Sequence, residues 1–211
     1  MSGFFLVVEG PEGAGKSTLV AGLERTMRER GLDPVVVREP GGTPAAERIR
    51  SAFLDPASRF APATELLFLA AARAHLVQEV IRPALGAGRI VLGDRYQLST
   101  EAYQGAGRGL DAATISLVGI VATGGLRPQL TLVLDIPPAL GRQRQRNAGK
   151  SRDRLEREDP GFHDRVARAY LAASGEGVRH LDGTLAPAAL LEAAWAEVLA
   201  AAPETFRGTR G

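Results

Sequence analysis

Apolar residues in this chain fall into short dense runs separated by longer stretches of helical spacing. The first run, Phe4-Phe5-Leu6-Val7-Val8, closes at Glu9 and has the length and residue types of a buried strand. Leu19, Val20, Leu23 and Met27 come next at helical spacing, and Gly31 ends that helix. Val35-Val36-Val37 predicts a second strand, closed by the turn-forming Glu39-Pro40-Gly41-Gly42, and Pro44 opens a helix toward Phe53. Pro56 and Pro62 interrupt the chain after that helix. Ala63 to Ile81 is so rich in Ala and Leu that it predicts one long, largely buried helix. Arg89 to Gly93 predicts a third strand, ending at Asp94. Residues 96–104 and 111–123 predict helices separated by Gly105-Ala106-Gly107-Arg108-Gly109. Leu130 to Ile136 predicts a fourth strand, 138–146 a helix, and 147–151 a flexible break. A helix from about Arg154 to Ala173, interrupted at Pro160-Gly161, leads to a fifth strand at Val178–Leu181 and a last amphipathic helix at Pro187–Ala201. The tail after Pro203 is expected to be loose.

Strands alternating with helices imply a parallel sheet covered on both faces, an α/β architecture. In such sheets the loops at the carboxyl ends of the strands build the site. Residues 10–18, GPEGAGKST, occupy the first of those ends. Gly10, Gly15, Lys16 and Ser17 satisfy G-x-x-x-x-G-K-[ST], between a strand and a helix, the context a P-loop requires. Its glycines let the backbone turn tightly and aim N–H groups at phosphate oxygens, and the helix N-terminus adds partial positive charge. Pro11, Glu12, Gly13, Ala14 and Thr18 complete the ATP-binding loop. Lys16 is expected to reach the β- and γ-phosphates, and Ser17 to offer its hydroxyl to Mg²⁺.

Length and composition narrow the class. The 211 residues, 45% of them apolar, are enough for one large domain with a substantial core. There is no Cys, hence no disulfide framework and no thiolate metal site. The opening apolar run is too short for a signal peptide or a membrane span, so a soluble cytoplasmic protein is expected, with no membrane partner. A net charge of +2 does not argue for nucleic acid. Lys16 and Lys150 are the only lysines among many arginines. No Asn-Lys-x-Asp guanine-reading motif occurs later in the chain, which argues against a switch GTPase. Gly149-Lys150-Ser151 imitates half of a second P-loop, but its first glycine would have to be Arg144. His75, His163 and His180 have no metal-ligand spacing.

Two further stretches, Arg38-Glu39-Pro40-Gly41-Gly42-Thr43 and DRYQLSTEAYQG at residues 94–105, join the P-loop in a pattern that resembles thymidylate kinase. The resemblance runs from the first strand to about Tyr170. It implies a single domain over residues 1–211. Its fold would be a three-layer P-loop NTPase fold with a five-stranded parallel sheet, a mobile lid near 147–157 and a loose tail at 203–211. The implied reaction carries the γ-phosphoryl of ATP, with Mg²⁺, to dTMP; another nucleoside monophosphate such as dUMP or UMP is the alternative acceptor. A regulatory switch that binds ATP is the rival from another class, and a basic acceptor site argues against it.

The resemblance also assigns roles. Arg95, whose guanidinium can bind a phosphate bidentately, would hold the acceptor 5′-phosphate. Asp94 would orient Mg²⁺ and its waters, or cap the next helix. Arg38, Glu39 and Arg50 would line the acceptor side; Ala46 stands where the family has Gly, and a solvated helix face is the other reading of Arg50. Ser99, Thr100, Tyr103 and Gln104 would surround the nucleoside. Gln104 would pair with the base edge, and Tyr103 would crowd the sugar 2′ position. Arg73 is expected to read the base and Phe68 to stack on it. However, Phe68 stands five residues before Arg73 where the family spacing is four, which swings it about 100° round a regular helix. Either a local bulge restores the face or Leu69 covers the base instead. The P-loop carries no Arg, so the resemblance moves the transition-state Arg into the lid, with Arg154 in Asp153-Arg154-Leu155-Glu156 first and Arg152 second. Arg142 and Arg146 would flank the adenine. Glu12 would position the acceptor through an Arg, the sugar 3′-hydroxyl or a metal-bound water. Ile115, Val118, Val121 and Ala122 in the helix at 111–124 are either core or the interface of the homodimer that the resemblance implies.

Overall fold

The computed structural model describes residues 3–147 and 153–206. Its first strand, β1 (Phe4–Glu9), is buried at every position and therefore lies in the middle of the sheet. The chain continues through α1 (Lys16–Glu29), β2 (Val35–Arg38), α2 (Pro44–Leu54) and α3 (Pro62–Leu76). α3 passes without a break into a wide π-helical turn, Val77–Ile81, and a short α4 (Arg82–Gly86). Then come β3 (Ile90–Asp94), α5 (Gln97–Thr100) with a π-helical continuation Glu101–Gly107, α6 (Ala112–Thr123), β4 (Leu130–Asp135) and α7 (Pro138–Asn147). Residues 148–152, where much of the expected lid and the flexible break fall, lie outside the described residues; after them come α8 (Pro160–Leu171), β5 (Val178–Asp182), α9 (Pro187–Ala201) and α10 (Pro203–Phe206).

The five strands pair in parallel in the order β2-β3-β1-β4-β5. One sheet face packs on α1, α9 and α10, with Leu19, Leu23 and Met27 of α1 meeting Leu190, Ala194 and Val198 of α9. The other face packs beneath α2, α3, α4, the helix that follows β3, and α8, in two clusters centred on Phe5 with Tyr96 and on Phe53 with Phe162. The result is the three-layer P-loop NTPase fold. Register then places the chemistry. Val8 stands level with Asp94, and Arg38 level with Asp94, so the ends of β1, β2 and β3 deliver Glu9, Arg38 and Asp94 to one edge.

Four local expectations are corrected. The glycine-rich stretch does not break the helix after β3; the helix runs on to Gly107. A Cβ on Gly107 would meet the Phe162 ring at 2.6 Å, so the glycine admits α8 closely rather than ending the turn. The helix expected from Arg154 starts only at Pro160, where the Asp159 side chain accepts from Phe162 N, and 154–157 form a turn. Helical structure after α3 extends past Ile81 to Gly86. Finally, residues 203–206 are not loose: Phe206 is fully buried, edge-on to Phe4 at 5.2 Å and to Trp195 at 5.9 Å. Among the described residues no helix is long and apolar enough to cross a membrane.

Candidate active site

The P-loop closes over Lys16. Gly13 (φ 75°) lies against α7, where a Cβ would meet the Gly141 carbonyl oxygen at 2.5 Å. Gly15 (φ 97°) has nothing within 4 Å of that position and leaves the mouth of the loop open at the N-terminus of α1. Lys16 Nζ folds back and donates to the carbonyls of Gly10 (2.9 Å) and Pro11 (2.8 Å). Burial first, and the neighbouring Arg95 cation second, push its ammonium down to about 7. Ser17 Oγ donates to Asp94 Oδ2 at 2.8 Å, which joins the loop to the end of β3.

Arg95 comes directly after Asp94. It is the one non-glycine among the described residues with a positive φ, 74°. Its backbone is held by N–H donation to Val8 O at 3.0 Å. Its guanidinium donates to Ser99 Oγ (3.1 Å), Tyr170 Oη (3.0 Å), Tyr103 Oη (3.3 Å) and Gly10 O (3.3 Å), and stands 3.7 Å from Glu12. Beneath it, fully buried Glu9 accepts from Tyr96 N, Ser99 N, Ser99 Oγ and Tyr170 Oη. Burial raises the Glu12 carboxyl, but Arg95 and then Lys16 outweigh it and hold the group below its ordinary range.

These groups share a cavity of about 650 Å³. Glu12, Gly13 and Gly15 to Thr18 of the loop are part of its lining. Arg38, Glu39, Arg50, Arg73, Asp94, Arg95, Ser99, Thr100, Tyr103 and Gln104 line the rest, so most residues singled out from the sequence meet here. Gly10, Pro11 and Ala14 lie behind the lining, and Gly10 and Pro11 act through the carbonyls that hold Lys16. Arg38 pairs with Glu47 at 2.9 Å, and Arg50 donates to Pro40 O at 2.8 Å. Arg73, buried, donates to Glu39 (2.6 Å), Gln97 (2.6 Å), Tyr96 O and Thr100 Oγ1 (both 3.0 Å). Burial pushes the Glu39 carboxyl up to about 7 despite the Arg73 cation.

Other expected residues lie elsewhere. Phe68 is not in the lining; its ring packs 5.0 Å from Phe60 and 6.5 Å from Phe53, and Leu69 faces the cavity. The helix is regular through this stretch, and its wide turn begins at Val77, beyond Arg73, so no bulge restores the Phe68 face. Arg154 is buried away from the P-loop. It pairs with Glu65, donates to Phe53 O at 3.0 Å, and lies over the Phe53 and Phe60 rings. Arg142 pairs with Asp164 at 3.1 Å, Arg146 is exposed, and neither lines the cavity. Arg152 lies outside the described residues. Among the described residues no group of three or more His, Cys, Asp and Glu could hold a metal.

The cavity also holds residues that the sequence did not single out for it. Arg144 donates to Gly13 O (3.2 Å) and Gly183 O (2.9 Å). Its signal was Gly141, one turn earlier: a glycine inside a helix marks close backbone approach, and residues three apart share that face. Asp153 and Glu156 cap each other through their backbone N–H groups and also line the cavity. Glu9 could have been found as the carboxylate ending a wholly apolar strand.

Comparison with known proteins shows what the chain is similar to. The family model described as thymidylate kinase matches residues 8–189. A protein named thymidylate kinase from Pseudomonas putida is 45% identical over the full length of both chains. One from Thermomicrobium roseum is 47% identical over 92% of this chain and 94% of its own. One from Deinococcus radiodurans is 51% identical over 80% of this chain and 82% of its own.

Proposed function

The chain belongs to the thymidylate kinase family, and on that premise we propose that it transfers the γ-phosphoryl group of ATP to dTMP, giving dTDP and ADP. The observation that carries this reading is that two anion-binding groups share one cavity. Lys16 and the P-loop form the first, and Arg95, which reaches the loop at Gly10 O and Glu12, forms the second together with Arg38 and Arg50. A nucleotide-dependent switch uses the first and has no need of the second.

Phosphoryl transfer asks a protein mainly for positioning and charge stabilisation. The loop amides and the N-terminus of α1 receive the donor phosphates. Lys16 exchanges the Gly10 and Pro11 carbonyls for phosphate oxygens. Arg95, already braced by Ser99, Tyr103 and Tyr170, presents an oriented guanidinium to the 5′-phosphate of dTMP. Glu12 steadies that guanidinium from the loop side, and Glu9 holds the Ser99 and Tyr170 braces from below. Arg38 and Arg50 add positive charge on the acceptor side, with Glu39 anchoring Arg73. Arg73, Thr100 and Gln104 form the wall that meets the base, Leu69 covers the base in place of Phe68, and Tyr103 crowds the sugar 2′ position. Arg144, held at the Gly13 carbonyl, supplies the transition-state charge first expected from Arg154; Arg154 anchors the return of the lid.

Ser17 Oγ and Asp94 Oδ2, 2.8 Å apart beside Lys16, are a hard-oxygen pair that suits Mg²⁺ completed by phosphate oxygens and water. When bound there, the ion neutralises phosphate charge. The exposed Leu117, Ile120 and Val121 of α6 support a homodimer through that face, whereas Ile115 is core. A cytoplasmic placement suits a Cys-free chain that draws on ATP. A coupled assay of ADP release across nucleoside monophosphates tests the assignment. The fastest turnover is expected with dTMP, and faster turnover with UMP overturns it.

A further inference from the structure

Behind the cavity lies a carboxylate that phosphoryl transfer does not require. Glu65 of α3 is fully buried and accepts from three side chains distant in sequence. These are Gln104 Nε2 at 3.0 Å, Arg108 at 2.9 and 3.1 Å, and Arg154. Burial alone would raise this carboxyl, but hydrogen bonds from Arg108, Arg154 and Gln104 outweigh it and hold the group below its ordinary range. Glu65 is therefore ionised, and an ionised carboxylate only accepts.

This constrains Gln104. A glutamine amide has a donating end and an accepting end, and its shape is nearly the same either way round. Facing Glu65, the NH₂ group must turn toward the carboxylate. Oε1 is then left at the other end, buried and with no partner in the chain, on a side chain that lines the cavity. An unpaired buried acceptor is unfavourable until a donor reaches it. Thymine and uracil present a donor at N3 beside an acceptor at O4. Cytosine presents the reverse, an acceptor at N3 beside a donor at N4. The remaining Gln104 N–H and Oε1 match the first edge and oppose the second.

We propose that Glu65 is a specificity-determining positioning residue: it fixes the sense of the Gln104 amide, so that the pocket accepts a pyrimidine protonated at N3 and rejects cytosine. The inference rests on the reading in which Gln104 meets the base. It says nothing of the 5-methyl group, which shape must discriminate.

The test is the ratio of kcat/KM for dTMP to that for dCMP in Glu65→Gln, with thermal melting alongside. Gln at this position can donate as well as accept, so the Gln104 amide is free to turn. The ratio is expected to fall on the order of tenfold or more, through a higher KM for dTMP and a lower one for dCMP. Arg108→Met loosens the same cluster but keeps the Glu65–Gln104 bond, and should hold the wild-type ratio even if it melts earlier. Should Glu65→Gln fail to fold, the double variant with Arg108→Met removes one charge of each sign and carries the same measurement. An unchanged ratio in the folded Glu65 variant overturns the proposal, as does an equal fall in Arg108→Met alone. Gln104→Leu separates the premise from the inference. If it keeps wild-type selectivity, Gln104 does not read the base; if it loses selectivity while Glu65→Gln keeps it, only the role of Glu65 is lost.

Discussion

Arg95 concentrates the site's geometry in one residue. Its left-handed backbone costs on the order of 1–3 kcal/mol, a strain that persists only where surrounding contacts over-determine it. Here Val8 O, Ser99, Tyr103, Tyr170 and Glu12 do so. Arg95→Ala should therefore lower kcat/KM by the equivalent of about 3 kcal/mol, since the oriented donor that holds the attacking 5′-phosphate of dTMP is lost. Steady-state kinetics check this, and an unchanged kcat/KM removes Arg95 from the mechanism. Lys16 makes a different prediction. Its pKa is about 7 in the free protein against an ordinary 10.5, and contact with phosphate favours the ammonium. Above pH 7, binding of ATP should take up a proton at this residue, and affinity should weaken as pH rises. Calorimetry at pH 8 in buffers of different ionisation enthalpy reads that uptake directly; zero uptake contradicts it. The same lysine opposes folding below pH 7, because its folded pKa lies below its unfolded one, and this penalty is relieved as pH rises from 7 toward 10.5.

At the level of elements, the strands and most helix starts were legible because they depend on neighbours in sequence. Pro44 and Pro187 do open helices, and Thr43, Asp111 and Asp159 cap their N-termini with side-chain oxygens. Local pattern and structure differ where a second element decides the outcome. Gly105 to Gly107 read as a break, yet α8 arrives so closely that glycine is what lets the helix continue. Gly107→Ala should accordingly destabilise the protein by about 1–3 kcal/mol, through overpacking against Phe162 rather than through any change in turn geometry. Urea unfolding measures it, and a neutral or stabilising result would mean that Phe162 moves aside freely. Phe68 and Leu69 are a similar case. The spacing to Arg73 raised the question, and the regular helix with the aromatic cluster of Phe53 and Phe60 answered it.

For the whole molecule, one surface stands apart. Leu117, Ile120 and Val121 on α6 are 64%, 52% and 78% exposed, an apolar strip joined by Leu67 at 62% on α3, which packs beside it. Light scattering should give a dimer for the wild-type chain, and Val121→Glu should shift it to monomer. A monomeric wild type would set the interface aside. What the sequence determined by itself was local or motif-borne. The phosphate loop, the alternation that compels a parallel sheet, and the strand ends carrying Glu9, Arg38, Asp94 and Arg95 all come from periodicity and from spacings of a few residues. Only the tertiary structure decided which cation meets which anion. Arg154 read as a catalytic lid residue, but it lies against Glu65, 89 positions away in the chain. Arg144 was one arginine among several, but it reaches the Gly13 carbonyl. Backbone hydrogen bonding and helical faces are set within a turn or two of chain. The partner of a buried charge is set by whichever remote segment packing brings within hydrogen-bonding reach, and no local pattern records that.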